Sequence, residues 1–179
     1  MNIQAPIAAF DKAGAARVLS LSSLGIRFGG VNFEDPGYEH HEYDKWKAYG
    51  QSKSANALFA VGLDKRGYTD GIRVFSVHPG RIQTELARFL TDQERAADVE
   101  YKTAEQGAAT SVWCATSPQL DGKGGVYCMD CEIAELIPNF SLHGMEQSLN
   151  GVLPWAIDPD MAERLWILSE EMTGVNLKS

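Results

Sequence analysis

The chain has 179 residues, 44% of them hydrophobic and 22% charged, with a formal net charge of −8 and a pI near 5.0. That length suits one domain with a sizeable core, and the acidic balance argues against a nucleic-acid partner, which would call for a basic stripe. No apolar run reaches the roughly 18–20 residues of a membrane span, and residues 1–10 lack a basic start and a long apolar stretch, so a cytoplasmic protein with no membrane span is expected.

Residues 4–13 look like the tail of a short helix ended near Gly14. Arg17 to Ser22 is compact and β-rich, as a buried parallel strand should be. Residues 24–45 form a long polar connection with Gly29-Gly30, Asp35-Pro36-Gly37 and His40-His41; a loop of that length usually covers something. A helix follows from Trp46 to Arg66, with Ala55, Leu58, Phe59, Gly62 and Leu63 on one stripe. Ile72 to Val77 is the second strand, closed by His78-Pro79-Gly80.

Thr91 to Glu94 and Thr103 to Gln106 both have capping-box spacing, the first opening a short helix and the second one that runs to about Ala115. Gly125 to Cys128 is a short third strand. The last helix has Asp158 as N-cap, Pro159 at its first position, an apolar face of Met161, Leu165, Leu168 and Met172, and Gly174 as its stop. Strand–helix alternation implies a parallel α/β sheet with right-handed crossovers. Its first strand leaves an edge that wants a partner.

Cys114, Cys128 and Cys131 are too few for a disulfide framework. Cys128-Met-Asp-Cys131 could be a redox pair or half a zinc site, but a four-ligand site needs a second pair. Reduced structural thiols and no metal are the expectation. His40-His41 is read as a solvated loop.

Tyr49 and Lys53 stand four apart on the predicted helix, hence on one face. A phenol is a poor base at neutral pH, and a nearby ammonium favours its phenolate. That combination makes a general acid/base for an alcohol or ketone. Ser23, at the carboxyl end of the first strand, could hydrogen-bond the reacting oxygen, and open α/β sheets bind ligands at that end.

Taken in order, Arg17-Val-Leu-Ser-Leu-Ser-Ser-Leu24, Ala48-Tyr-Gly-Gln-Ser-Lys-Ser-Ala-Asn56 and Val77-His-Pro-Gly-Arg-Ile-Gln-Thr84 resemble the catalytic half of a short-chain dehydrogenase/reductase. The stretch with Asn32 to Asp35 and Tyr43 to Tyr49 is similar to the branch holding retinol dehydrogenases and the WW-domain-containing oxidoreductase. The resemblance is dense over residues 17–90 and continues to about 173.

It implies a three-layer Rossmann-like parallel sheet, shortened to about its last three strands with flanking helices. Residues 1–179 would then form a single domain, the C-terminal catalytic part, without the N-terminal dinucleotide-binding half. It also implies hydride transfer between NAD or NADP and a small-molecule alcohol or carbonyl substrate. Ser23 would steady the oxygen, Tyr49 exchange the proton, and Lys53 favour the phenolate and hold the nicotinamide ribose. Pro79, Gly80, Ile82 and Thr84 would line the nicotinamide end, and residues 81–102 would close over substrate. The family often forms homo-oligomers through the helix bearing Tyr49.

The family's phosphate-binding glycine turn follows a strand and opens a helix. Neither Gly29-Gly30 nor Gly122 to Gly125 does so. Whether the isolated chain is an enzyme therefore stays open. The alternative is a catalytically inactive fragment or interaction module that keeps the motifs by descent.

Overall fold

The structure is a computed structural model and describes residues 15–82, 85, 88, 91, 100–138 and 151–176. Strands β1 (Ala16–Leu21), β2 (Ile72–His78) and β3 (Val126–Met129) pair in parallel, and β4 (Glu132–Ile133) runs antiparallel to β3. Their spatial order is β1-β2-β3-β4. Three helices flank them: α1 (Lys45–Gly67), α2 (Ala104–Thr116) and α3 (Pro159–Thr173). This is the expected three-layer α/β arrangement of three parallel strands.

Alternation along the strands builds the layers, because successive side chains point to opposite faces. Ala16 and Val18 of β1 join Ile72 and Val74 of β2 against Ala60 and Leu63 of α1 and Trp166 of α3. The residues between them, Leu19, Phe75 and Val77, pack with Cys128 of β3 against Cys114 of α2. On the α1 face the pattern changes toward the carboxyl ends, where Ser20, Ser22, Ser76 and His78 replace the aliphatic residues. The core is thus apolar at one end of the strands and polar where the candidate site lies.

The helix ends follow their sequence signals. Asp44 caps α1 by accepting from the Trp46 and Lys47 amides at 2.9 and 2.8 Å. At α2, Thr103 and Gln106 close both bonds of the capping box. Asp158 caps α3, Pro159 occupies its first turn, and Gly174 ends it in the left-handed region at φ 67°.

Two details differ from the sequence reading. The stretch after β3, left without an element in the sequence reading, is a hairpin: Asp130 and Cys131, at φ 50° and 59°, make its left-handed turn. Asp130 is a residue such turns favour, but Cys131 stands where glycine usually follows it. In α3 the buried residues are Ala162 and Trp166, while Met161, Leu165 and Leu168 are half-buried and Met172 is 65% exposed. Gly62 of α1 explains the rotation, since a Cβ there would lie 3.2 Å from the Trp166 ring and 3.6 Å from the Ala162 carbonyl. The helices cross closely at that point, and Trp166 stacks on Phe59 with centroids 5.9 Å apart. The helix tail at 4–13 and the short helix beginning at Thr91 lie outside the described residues, apart from Thr91 itself.

Candidate active site

The site begins where β1 ends. Ser20 and Ser22 face α1 and donate to the carbonyls of Asn56 and Lys53, both at 2.8 Å. Strand spacing of two thus meets helix spacing of three, and the pair of bonds sets the height of α1 against β1. Ser23 points elsewhere. Its hydroxyl oxygen accepts from the Gly25 amide at 3.1 Å and caps a 3₁₀ turn over Leu24–Phe28. Because capping uses only the oxygen as acceptor, the O–H of Ser23 is left to donate to a ligand.

Tyr49 lies against that turn. A Cβ at Gly25 would fall inside the Tyr49 ring, 2.8 Å from Cδ1, and 3.5 Å from the Ser23 hydroxyl. A Cβ at Gly50 would come within 2.9 Å of the Gly25 carbonyl and the Gly29 amide. Glycine on both sides of the contact therefore lets the turn and helix meet, and it brings Tyr49 beside Ser23. One helical turn on, the Lys53 ammonium stands 5.7 Å from the Tyr49 ring centroid and donates to the Leu21 carbonyl at 3.4 Å. Asn56 donates to the same carbonyl at 2.8 Å. Burial pulls the Lys53 ammonium below the usual lysine range.

The second wall comes from the end of β2. Buried His78 accepts at Nδ1 from the Leu24 amide at 3.3 Å, tying the Ser23 turn to β2. Desolvation holds its pKa down to about 4; Asp130 opposes this, and Lys102 and Arg81 add to it. Beyond it lie Pro79 and Gly80, with Gly80 at φ 94° under the Lys102 side chain. A Cβ on Gly80 would be 2.6 Å from Lys102 Cδ. The Lys102 ammonium pairs with Asp130. Ile82 packs on Gly107 of α2, where a Cβ would be 2.7 Å from Ile82 Cγ1. Thr84 lies outside the described residues.

The structure thus brings Ser23, Tyr49 and Lys53 together at the end of β1, with Pro79, Gly80 and Ile82 at the end of the neighbouring strand. Sequence reasoning missed Gly25, Gly50 and Leu24 as the hydrogen-bond partner of His78, a residue expected to pack or hydrogen-bond beside the Pro79-Gly80 motif. All three depend on contacts across the chain, although a glycine two residues after Ser23 and another beside Tyr49 were the available signal. It also missed Tyr127, whose ring is buried against Ile26, Ala57 and Leu153.

The remaining glycine turns have other duties. Gly30 packs on Trp155, and Gly124 and Gly125 wrap the carboxylate of Asp64, which accepts from the Val74 amide at 2.8 Å and pairs with Arg73 at 3.0 Å. A cradle already filled by a carboxylate does not fit a pyrophosphate. The cysteines are free, Cys114 and Cys128 fully buried. His41 binds Asp35 at 2.7 Å, and that carboxylate also collects the Glu39 and His40 amides. Among the described residues no cluster of three His, Cys, Asp or Glu could hold a metal, and no helix is long and apolar enough to cross a membrane.

Known proteins are similar to this sequence over most of its length. A Streptomyces antibioticus protein named "Probable oxidoreductase" is 41% identical over 171 residues, covering 89% of this chain and 55% of its own length. "Short-chain dehydrogenase/reductase prx1" of Penicillium roqueforti is 32% identical over 90% of this chain and 48% of its own. This chain is a homologue of the short-chain dehydrogenases/reductases. Human "Retinol dehydrogenase 14" is 31% identical over 89% of the homologue and 45% of its own length. The homologue spans about half the length of the curated relatives it matches. A crystal structure of an uncharacterised protein from Mycobacterium paratuberculosis superposes with a TM-score of 0.63 at 29% identity, over 92% of this chain and 53% of that one. No family model matches the sequence.

Proposed function

We propose that this chain carries the proton-transfer side of an oxidoreductase acting on an alcohol or carbonyl compound. The observation that carries the reading is the convergence of Ser23, Tyr49 and Lys53 at the end of β1, with glycines seating the tyrosine ring. Ser23 donates its free O–H to the substrate oxygen. The Tyr49 phenol gives a proton to that oxygen or takes one from it, according to direction. Lys53, held by the Leu21 carbonyl, supplies the positive charge that stabilises a phenolate.

A nicotinamide cofactor, NAD or NADP, would supply or accept the hydride when bound. The described residues that would hold its nicotinamide end are Tyr49, Lys53, Pro79, Gly80 and Ile82, with Thr84, outside the described residues, as a further candidate; Gly80, at φ 94°, turns the chain at the end of β2. The described glycine turns do not suit the phosphates. We therefore read residues 1–179 as a single domain equivalent to the C-terminal part of the family fold, the dinucleotide-phosphate site belonging to the other part.

Turnover of a panel of carbonyl compounds with NADH and NADPH tests this directly. Tyr49→Phe is expected to lower kcat by about 10²–10⁴-fold, and an equally active variant would refute the assignment. A second reading, a non-catalytic interaction module, draws on the outer edge of β1, which pairs with no strand among the described residues. It predicts no cofactor-dependent rise in Tm, whereas a binding chain gains stability by mass action. Homo-oligomerisation through the Tyr49 helix belongs to the first reading and is checked by sedimentation.

A further inference from the structure

Two guanidinium groups beside the candidate site have no carboxylate partner among the described residues. Arg27 belongs to the 3₁₀ turn that Ser23 caps. It is half-buried, its guanidinium lies 4.8 Å over the Phe28 ring, and its Nε is buried with no acceptor. Arg81 directly follows Pro79-Gly80 at the end of β2 and is exposed. Arg81 is near enough that its charge, after burial, helps to hold Arg27 below the usual guanidinium range.

The contrast with other arginines is informative. Arg17, Arg66, Arg73 and Arg164 each reach a carboxylate: Asp121 at 2.6 Å, Glu163 at 2.7 Å, Asp64 at 3.0 Å and Glu34 at 3.8 Å. Among the described residues no carboxylate comes within 4.0 Å of Arg27 or Arg81, although the chain carries 24 acidic residues against 16 basic ones. The Leu24–His78 bond ties the turn that carries Arg27 to the strand end that leads into Arg81, so two like charges, one of them partly desolvated with an orphaned donor, flank the same end of the site, an arrangement stabilised by an anion from outside. Planar guanidinium forks suit an oxyanion.

We propose that Arg27 and Arg81 form an anion subsite for the carboxylate of an oxo-acid or hydroxy-acid substrate. The inference rests on the proposed function and names its substrate class. Arg27 shares one short turn with Ser23, so an anion held there presents its carbonyl or alcohol toward Ser23 and Tyr49. The phosphates of a dinucleotide offer the same oxyanion chemistry, and the experiment separates the two sources.

The test uses calorimetric titration of the full chain with 2-oxobutyrate, 4-oxopentanoate and 5-oxohexanoate, with their methyl esters, and with NAD⁺. At least one acid is expected to bind about tenfold or more tighter than its ester, as loss of a charge-assisted hydrogen bond implies. That preference disappears in Arg27→Met and in Arg81→Met; if the half-buried Arg27 variant misfolds, the exposed Arg81 decides. Equal affinity of every acid and ester overturns the proposal, as does a preference unchanged in the variants. A loss confined to NAD⁺ assigns the arginines to the dinucleotide and overturns it too. Tyr49→Phe is expected to keep the acid preference. A wild type that binds acids selectively yet turns none over therefore counts against Tyr49 and leaves the subsite standing.

Discussion

Gly25 shows how little a motif says about the surface that seats it. Its missing Cβ is the space the Tyr49 ring occupies. Gly25→Ala is expected to push the ring away from Ser23, cutting turnover by at least as much as it lowers stability; overpacking of this kind costs about 1–3 kcal/mol. Urea unfolding beside kinetics checks it, and a fully active Ala variant would show that the ring does not need this seat.

His78 carries the clearest pH dependence. Its pKa is about 4 when folded against 6.5 in the reference state, chiefly through burial. The unfolded chain therefore binds the proton first as pH falls, so the full stability present above pH 6.5 declines toward pH 4. The loss amounts to roughly 3 kcal/mol. In His78→Asn, which keeps an acceptor for the Leu24 amide, stability is expected to fall less steeply over that window. Parallel curves for the two proteins would exclude His78 as the source.

Among the elements, α2 was the most legible, because Thr103 and Gln106 satisfy end amides locally and need no tertiary partner. Thr103→Ala is expected to cost about 1 kcal/mol, read from the urea midpoint. The strands were legible too, to within a residue or so at each end, since continuous β-branched and apolar runs bounded by glycine suit a buried parallel sheet. In α3 the caps were readable but the buried face was not. Met161, Leu165, Leu168 and Met172 are the more apolar set, yet close approach at Gly62 selects Ala162 and Trp166. Trp166→Ala should cost about 3–5 kcal/mol, as large-to-small changes of buried aromatics do, whereas Met172→Ala, at an exposed position, should change stability little.

At the scale of the whole molecule, the three layers join residues far apart in the chain into one site. Ser20 and Ser22 set α1 against β1, and His78 links the Ser23 turn to β2. What sequence by itself determined is the order of elements, their caps and the reactive residue types, because periodicity, capping and the Tyr49–Lys53 spacing act within a few residues. The hairpin after β3, the rotation of α3, the glycine seat of Tyr49 and the unpaired Arg27–Arg81 cluster were decided only in the folded state. The hairpin is a local turn through Asp130 and Cys131 in the left-handed region; each of the others depends on van der Waals exclusion or charge between segments tens of residues apart, and such distances exist only once the sheet has brought the strand ends together.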